Sequence, residues 1–298
     1  MTTDTRQDPK TQYPEPPFPK QQQEPPGTEA ELKPKADHGE ETYEGSGRLT
    51  GRVALVTGGD SGIGKAVAIA FAREGADVLV SYLGGMEDAD AADTAGWVER
   101  AGRRAVTVAG DIQDPDVCAS LVERAEAELG HLDILVNNAA WQECGDRIEE
   151  VTTEDWRRIF RTNIEAIFHL SKAAVPRLRE GGTIINTTSI QAYSPSPELL
   201  PYAATKGAIV TFTKGLAQDP GVLERGLRVN AVAPGPIWTP LIPSTMPPEK
   251  AAKFGENTPL GRAGQPAELA PVYVFLASQE SSYITGEVIG VTGGRPLG

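Results

Sequence analysis

The sequence is poor in the residues that build metal sites and disulfide frameworks. Its 298 residues include two cysteines, Cys118 and Cys144, and three histidines, His38, His131 and His169. The two cysteines form neither a disulfide framework nor the spacing of a metal-ligand motif. The histidines are scattered along the chain, which argues against a histidine-based metal centre. We therefore expect no metal site.

Long apolar runs and an excess of basic residues are also lacking. No run approaches the roughly 20 apolar residues of a membrane-spanning helix, and the N-terminus lacks the basic-then-apolar pattern of a signal peptide. The 28 Lys and Arg residues against 41 Asp and Glu residues give a formal net charge of −13. This charge disfavours nucleic acid or an anionic membrane as the main partner, because their phosphates would be repelled. The expected location is the cytoplasm.

Residues 1–47 differ in composition from the rest of the chain. They contain eight prolines, few aliphatic residues, and ten acidic against five basic side chains. Such a segment cannot bury enough apolar surface to fold by itself. It is either a disordered tail or an arm that lies on the folded domain or on a neighbouring subunit, with Tyr13, Phe18 and Tyr43 as possible anchors.

A regular alternation of short apolar runs and amphipathic segments begins at Arg52. The runs predict buried parallel strands, and the intervening helices predict βαβ crossovers and a sheet covered on both faces. No internal repeat or second domain is apparent, so we expect one α/β domain over residues 48–298. The predicted strands are 53–56, 78–80, 105–108, 132–136, 183–187, 227–232 and 288–291, and the main predicted helices are 65–74, 88–101, 114–129, 153–175, 202–217 and 267–277.

The segment 202–206 carries the chemical signal around which the other motifs are arranged. In a helix, Tyr202 and Lys206 lie one turn apart on the same face. An ammonium beside a phenol favours the phenolate and lowers its pKa, so the pair can transfer a proton at a carbonyl or alcohol oxygen. A Tyr-Lys pair in isolation is more often ordinary helix surface. Ser189, thirteen residues upstream and just past an apolar run, is a candidate third member of the same site.

A glycine-rich turn follows the first predicted strand. Gly58, Gly62 and Gly64 stand where the backbone can pass close to a ligand and the next helix can hold a phosphate at its N-terminus. Tight packing is the alternative explanation. Asp111 and Asn137 follow the carboxyl ends of later strands, the edge at which open α/β sheets bind ligands, although turn capping would also suit them.

Together these motifs resemble the short-chain dehydrogenase/reductase family. Residues 39–49 and 235–240 further resemble a branch of N-terminally extended proteins described as glucose/ribitol dehydrogenase-like, general-stress or aldehyde-reductase proteins. Ala140 departs from the family, which usually has glycine there. The resemblance implies a single-domain Rossmann fold with a doubly wound, mostly seven-stranded parallel sheet. Its matching elements, in the family's order from about residue 49 onward, are Thr57-Gly58-x3-Gly62-Ile63-Gly64, Asn137-Asn138-Ala139, Asn163, Ser189, Tyr202-x3-Lys206 and Pro234-Gly235.

The resemblance implies roles for four catalytic residues. Tyr202 would be the acid/base, and Lys206 would lower its pKa and hydrogen-bond the nicotinamide ribose. Ser189 would hydrogen-bond the substrate oxygen, and Asn163 would hold a water that relays protons through Lys206. Hydride would pass between nicotinamide and the carbon of a small aldehyde, ketone or polyol. The implied cofactor-binding residues are Gly58, Asp60, Ser61, Gly62, Ile63, Gly64, Tyr82, Asp111, Ile112, Asn137, Ala139, Tyr202, Lys206, Pro234, Gly235, Ile237 and Thr239.

The choice between NADP and NAD depends on two positions. Tyr82 closes the second strand, where NAD-preferring relatives carry an acidic residue for the ribose 2′-hydroxyl. Because no carboxylate stands there, this position favours NADP. Ser61, in contrast, stands where many NADP-using relatives have Lys or Arg, so this position argues against NADP. We expect NADP, with NAD or dual use as the alternative.

Three segments are expected to wall the substrate pocket: residues 141–145, 190–200 and 237–254. They contain no charge cluster that would recognise a phosphate or carboxylate. Their aromatic residues could stack on a substrate or simply pack within the protein. These residues are Trp141, Tyr193 and Trp238.

Two other functions compete with that of an oxidoreductase. A nucleotide-binding sensor on this scaffold would usually lose the Tyr or the Lys, and a ketoacyl reductase would need a basic surface for an acidic carrier protein. The resemblance also implies a homo-tetramer or dimer that pairs through the long helix and the Tyr202 helix, where Ile209, Phe212 and Leu216 form an apolar stripe. We predict that deletion of residues 1–47 leaves the fold intact but weakens assembly or thermal stability.

Overall fold

In the computed structural model, which describes residues 6–145 and 147–298, the apolar runs form one parallel sheet. The strand ends differ by at most two residues from those predicted, because each run is bounded by turn residues. Within the described residues the strands are β1 (Val53–Thr57), β2 (Asp77–Tyr82), β3 (Ala105–Ala109), β4 (Ile134–Asn137), β5 (Thr183–Thr187), β6 (Arg228–Pro234) and β7 (Val288–Val291).

The strand order is β3-β2-β1-β4-β5-β6-β7, and every neighbouring pair is parallel. β1 and β4 are hydrogen-bonded neighbours although two strands separate them in the chain. The chain therefore winds from β1 toward one edge of the sheet and then from β4 toward the other. A doubly wound sheet of this kind binds ligands in the crevice outside the carboxyl ends of the strands where the winding reverses. The predicted fold class is confirmed.

Helices cover both faces of the sheet. α1 and α10 pack on one face around Phe71 and Tyr273, and α3 and α5 pack on the other around Leu121 and Leu170. All four of these side chains are at most 1% exposed, and burying a side chain of this size contributes about 1.5–3 kcal/mol. In the described residues the α-helices are α1 (Gly62–Arg73), α2 (Asp88–Arg100), α3 (Pro115–Leu129), α4 (Thr153–Phe160), α5 (Ala166–Ala174), α6 (Leu200–Leu216), α7 (Pro220–Leu223), α8 (Leu241–Thr245), α9 (Pro248–Ala251) and α10 (Pro266–Ala277).

Helix ends follow local sequence signals. The Asp114 carboxylate accepts a hydrogen bond of 2.9 Å from the Asp116 amide, Pro115 occupies the first helical position of α3, and Gly130 ends the helix with a φ of 98°. An acidic N-cap, a proline in the first turn and a left-handed glycine at the end are the signals expected for a helix of this length.

The single helix predicted over residues 153–175 is instead divided. α4 and α5 are joined by a π-helical turn, Arg161–Glu165. A π turn is uncommon and is frequently found at functional sites. The π turn is centred on Asn163, which is fully buried. The turn therefore gives this polar side chain a direction that it would not have in an uninterrupted α-helix.

The described part of the N-terminal segment, from residue 6 onward, is an arm that lies on the same chain. Phe18 packs against Trp238 with ring centroids 4.3 Å apart, and Tyr43 donates a hydrogen bond of 2.6 Å to Glu74 at the end of α1. Phe18 and Leu32 are buried, at 5% and 0% exposure. Of the two alternatives for this segment, the structure supports the arm.

No helix in the described part of the chain combines the length and apolar character needed to cross a membrane. Among the same residues, no cluster of three or more His, Cys, Asp or Glu side chains could hold a metal ion.

Candidate active site

Tyr202 and Lys206 lie one turn apart near the start of α6, as their spacing predicts. The Lys206 Nζ atom is 5.2 Å from the centre of the Tyr202 ring and donates a hydrogen bond of 2.8 Å to the Thr187 carbonyl at the end of β5. The backbone carbonyl of Lys206 accepts a hydrogen bond of 2.7 Å from the Thr188 hydroxyl. α6 is thus tied to the carboxyl end of β5 at its reactive residues.

Ser189 follows the same strand end and faces Tyr202. The Ser189 hydroxyl oxygen accepts a hydrogen bond of 3.1 Å from the Gln191 amide, and this hydroxyl lies close enough to that of Tyr202 to lower the Tyr202 pKa. Ser189 is 6% exposed. Two hydroxyl groups therefore meet at one point, where they can bind a single substrate oxygen.

Burial changes the proton affinity of both α6 side chains. It raises the pKa of Tyr202 to about 12, and the nearby Ser189 hydroxyl acts in the opposite direction. It lowers the pKa of Lys206 to about 7. Burial penalises the charged form of each group and sets the direction of both pKa shifts. The expected lowering of the Tyr202 pKa by Lys206 is therefore not seen in this structure.

Asn163 is buried and contacts α6 at Thr205, the residue before Lys206. Its side-chain oxygen accepts a hydrogen bond of 2.7 Å from the Trp141 amide, and its side-chain nitrogen donates to the Trp141 carbonyl at 2.8 Å and to the Thr205 hydroxyl at 3.1 Å. These bonds connect the loop after β4 to α6. The expected water relay at Asn163 stays a prediction, and the visible role of its side chain is to position the loop.

Glycine is needed in the turn after β1 for two different physical reasons. Gly58 and Gly62 adopt positive φ angles of 58° and 49°, a region that favours glycine. A Cβ atom on Gly64 would lie 1.8 Å from the Gly58 carbonyl oxygen. Gly64 is therefore required by packing, whereas Gly58 and Gly62 give the turn its conformation.

Acidic side chains surround the end of β2, where a bound dinucleotide would present its adenosine ribose. Asp60 is 3% exposed, and among the described residues its Oδ2 atom has no hydrogen-bond partner. Burial and the nearby Glu87 raise the pKa of Asp60 to about 8. A buried carboxyl with this unpartnered oxygen, protonated at neutral pH, suits a ligand whose groups both accept and donate hydrogen bonds, such as a ribose with free hydroxyl groups.

One cavity of about 310 Å³ connects these groups. Asp60, Tyr82 and Glu87 lie in its wall near the end of β2, and Ser189, Tyr202 and Lys206 also line it. The cavity opens where the direction of winding reverses between β1 and β4, so the fold, the glycine turn and the proton-transferring residues meet in one crevice.

Comparisons with known proteins assign this arrangement to a family. The family model described as Enoyl-(Acyl carrier protein) reductase matches residues 58–295. The uncharacterized oxidoreductase YghA of Escherichia coli K12 is 54% identical over 292 residues, with 98% of each chain covered. The chain belongs to the short-chain dehydrogenase/reductase family. It is accordingly an enzyme of the oxidoreductase class.

Other members of the short-chain dehydrogenase/reductase family extend this comparison. The glucose and ribitol dehydrogenase of Daucus carota is 46% identical, covering 93% of this chain and 96% of the carrot protein. The chloroplastic NADPH-dependent aldehyde reductase 1 of Arabidopsis thaliana is 45% identical, covering 90% of this chain and 94% of the plant protein. These names agree with the narrower branch indicated by residues 39–49 and 235–240.

Solved structures of the family are similar over most of the chain. A blue fluorescent protein from a metagenomic library, in complex with NADPH, has a TM-score of 0.77 and 35% identity over 83% of this chain and 98% of its own. A 3-ketoacyl-(acyl-carrier-protein) reductase from Brucella melitensis, complexed with NADH, has a TM-score of 0.74 and 35% identity over 83% of this chain and 99% of its own. Their bound molecules agree with the expectation of NADP or NAD.

Most of the positions suggested by the family resemblance line the cavity. Three do not: Gly64 is a packing residue, and Asn137 and Asn163 are buried beside the cavity. Asn137 donates a hydrogen bond of 2.8 Å to Asn186 on the adjacent strand, so its neighbour Asn138 faces the cavity instead. The positions that do line it are Gly58, Asp60, Ser61, Gly62, Ile63, Tyr82, Asp111, Ile112, Ala139, Ser189, Tyr202, Lys206, Pro234, Gly235, Ile237 and Thr239.

The three predicted wall segments all contribute to the cavity, but their aromatic residues differ in role. Trp141 lines it and lies 3.7 Å beneath the Arg158 guanidinium, whereas Trp238 is fully buried against the arm. Among the lining residues that the sequence did not suggest are Pro26 and Glu87. Pro26 belongs to the N-terminal arm, and no local pattern shows that this proline reaches a cavity formed by residues far away in the chain.

Proposed function

We propose that this enzyme transfers hydride between a nicotinamide dinucleotide, NADP or NAD, and a small aldehyde, ketone or polyol. The observation that carries the proposal is that one cavity contains both the glycine turn after β1 and the cluster of Ser189, Tyr202 and Lys206. The branch relatives named as an aldehyde reductase and as a glucose and ribitol dehydrogenase support the substrate class.

The residues present suit a dinucleotide. At the N-terminus of α1 the Gly62 amide is bound by the Glu29 carboxylate, so a diphosphate would be offered the other amides of this turn. Among the described residues the Asp60 Oδ2 atom has no partner, which suits a ribose hydroxyl. Thr239 and Ile63 line the same part of the cavity. A bound nicotinamide dinucleotide would supply or accept the hydride, and the protein would supply geometry and proton transfer.

The substrate oxygen would be bound by the hydroxyl groups of Ser189 and Tyr202. During reduction Tyr202 would donate its proton to that oxygen, and during oxidation it would accept the proton. Lys206, whose pKa burial lowers to about 7, can hold or release a proton at neutral pH. Its ammonium form would stabilise the phenolate that Tyr202 becomes after donating.

The decisive experiment measures oxidation of NADPH and NADH by the purified protein over a panel of aldehydes, ketones and sugars. Tyr202→Phe should lower kcat by roughly 10²–10⁴-fold, the contribution typical of a positioned acid or base. Dinucleotide affinity should stay within a factor of about 3, because the phenyl ring is retained. Tyr193→Phe is the matched control, since Tyr193 lies near the site in sequence but does not line the cavity.

Two results would count against the proposal. Turnover that survives in Tyr202→Phe would remove Tyr202 from the chemistry. Dinucleotide binding by the wild type without turnover of any compound in the panel would favour the sensor function instead.

The same proposal covers the location, the assembly and the domain organisation of the protein. A cytoplasmic location is part of this proposal. A homo-tetramer or dimer is supported by the exposed aromatic side chains Trp156 and Phe168 on α4 and α5. Residues 48–298 would form the catalytic domain, with residues 1–47 as an extension of it.

A further inference from the structure

The N-terminal arm contacts the segment that closes one side of the cavity, residues 237–254. The Phe18 amide donates a hydrogen bond of 2.7 Å to the Ala252 carbonyl, and the Gln23 amide donates one of 3.0 Å to the Pro243 carbonyl. The Ser244 hydroxyl donates to the Pro26 carbonyl at 3.1 Å. These bonds attach the arm to the segment at residues 243, 244 and 252.

The same segment shares a small apolar core with the arm. Phe18, Leu32 and Ala36 from the arm form one buried cluster with Trp238 and Ile242. Trp238 is fully buried, and its indole nitrogen donates a hydrogen bond of 2.8 Å to the Pro34 carbonyl. Without the arm this indole would face water, so the segment depends on the arm for part of its own core.

The segment carries much of the cavity wall. Ile237, Thr239, Leu241, Ile242, Met246 and Phe254 all line the cavity. Its first residue is tied to the body by the bridge between Ile237 and Gly264. In its middle, the Thr245 hydroxyl accepts a hydrogen bond of 2.8 Å from the Gln142 side chain.

The arm also reaches the opposite wall. The Glu29 carboxylate accepts a hydrogen bond of 2.8 Å from the Gly62 amide at the start of α1, and the Glu29 amide donates one of 2.8 Å to Asp90. Glu29 is 7% exposed, and Pro26 lines the cavity between the two walls. One short stretch of the arm therefore joins the glycine turn to the covering segment.

We propose that the arm is part of the dinucleotide site, in which Phe18 and Glu29 are positioning residues that hold residues 237–254 against the glycine turn. This inference rests on the proposed function, because it concerns affinity for the dinucleotide. A ligand that needs the segment in its closed position binds with an affinity reduced by the fraction of molecules in which the segment is open. Loosening the arm should therefore weaken dinucleotide binding without removing any residue of the cavity wall.

The test uses full-length protein and the variant Phe18→Ala. Two quantities are measured: amide hydrogen exchange of residues 241–254 without ligand, and the Kd for NADPH and NADH by fluorescence titration. We expect exchange in that segment to accelerate and both Kd values to rise about tenfold, the change produced if the closed form falls to about a tenth of the population. Exchange in β1, β4 and β5 should stay unchanged.

Three further variants separate positioning from general instability. Phe18→Leu keeps an apolar side chain and should restore both Kd values to within about threefold of wild type. Ser244→Ala removes the bond to Pro26 and should raise Kd by a smaller factor, which keeps the test available if Phe18→Ala does not fold. Tyr13→Phe removes the arm's 2.8 Å bond to Asp37, away from the covering segment, and should leave Kd unchanged.

The outcomes distinguish this inference from the proposed function. If wild type binds neither dinucleotide, the proposed function fails and the inference fails with it. If wild type binds but Phe18→Ala, or Ser244→Ala in its place, binds equally well, the inference alone is overturned. Equal weakening by Tyr13→Phe would also overturn it, because the effect would then report general loosening of the arm.

Discussion

Lys206 is buried, and burial makes the charged form of its side chain unfavourable. Burial lowers its pKa from 10.5 to about 7, so the unfolded chain binds this proton more tightly than the folded one. Stability should therefore rise as pH increases from about 7 to about 10.5, and the full cost of burial is present below pH 7.

Replacement by an apolar side chain should remove that cost. Lys206→Met should abolish turnover yet raise the free energy of unfolding by about 1–3 kcal/mol at pH 6, as found when buried ionic groups are replaced by apolar ones. Thermal melting of wild type and variant across pH 6–10 measures this. Lys214→Met, on the exposed side of the same helix, should change neither stability nor its pH dependence. A variant that melts below wild type at pH 6 would contradict the prediction.

Asp60 should influence the choice between the two dinucleotides. Its carboxyl, with a pKa raised to about 8 by burial and by Glu87, becomes charged as pH rises through 8, and a charged carboxylate repels a ribose phosphate. The ratio of NADPH to NADH affinity should therefore fall between pH 7 and 9. Asp60→Asn should raise the ratio about tenfold at pH 9 and remove its pH dependence. Binding titrations measure both, with the exposed Asp116→Asn as control, and an unchanged ratio in Asp60→Asn would refute the idea.

Residue-scale features differ in how far the sequence could predict them. The pair Tyr202 and Lys206 follows from helix geometry, and Ser189 from its place after β5. The exchange of roles between Asn137 and Asn138 was not predictable, because it depends on which of the two side chains faces Asn186 on the adjacent strand. A buried hydrogen bond between strands distant in sequence decides it.

At the scale of elements, the arm is held near α1 by a buried ion pair. The His38 Nε2 atom lies 2.8 Å from the Glu29 Oε1 atom. Burial by itself would lower the pKa of His38, but Glu29 and Glu40 raise it to about 9, against a smaller opposing effect of Lys65. Burial would raise the pKa of Glu29, but His38, the Gly62 amide and Lys65 hold it below its usual range.

This pair should make arm docking dependent on pH. The contribution of His38 is complete below its ordinary pKa of 6.5 and is lost as pH rises through about 9, and that of Glu29 is lost in acid. Limited proteolysis of residues 20–40 should thus accelerate between pH 8 and 10. His38→Gln, which keeps a hydrogen-bond donor but cannot titrate, should show faster cleavage at pH 6 and little change up to pH 10. Equal pH dependence in both proteins would contradict the role of this pair.

The elements that local sequence predicted well are those with local causes. Strand runs, the Asp114 cap and the closing glycines act within a few residues, so their signals can be read directly. The π turn at Arg161–Glu165 could not be predicted, because it accommodates the bonds of Asn163 to the loop at Trp141. The path of the arm could not be predicted either, since the bond between Trp238 and Pro34 joins residues 204 positions apart.

At the scale of the whole molecule, the exposure of the α6 side chains bears on how subunits would pair. The resemblance implied an interface through the Tyr202 helix, with Ile209 in its apolar stripe. Ile209 is fully buried in its own chain, and Leu216 packs against the core beneath α6. Ile209 therefore stabilises the fold and is not available to a partner, whereas Leu216 is only partly buried.

Exposed aromatic residues on α4 and α5 are the better candidates for a subunit interface. Phe168 is 46% exposed and Trp156 is 37% exposed, with Trp156 stacked on Phe160 at 4.5 Å. Burial of such side chains against a second copy would contribute favourable free energy. Light scattering should give the mass of a dimer or tetramer for wild type, and Phe168→Glu should shift it toward the monomer.

The net charge of −13 provides a second test of the same assembly. Subunits of like charge repel one another. At physiological ionic strength, dissolved salt largely screens this repulsion between charges more than roughly 8–10 Å apart. The fraction assembled should therefore increase from low salt to about 0.2 M salt in wild type. Leu223→Glu, which adds the same charge at another exposed apolar position on α7, should assemble like wild type at equal salt. If Phe168→Glu and Leu223→Glu behave alike, the loss reflects added charge, and the aromatic surface on α4 and α5 is not the interface.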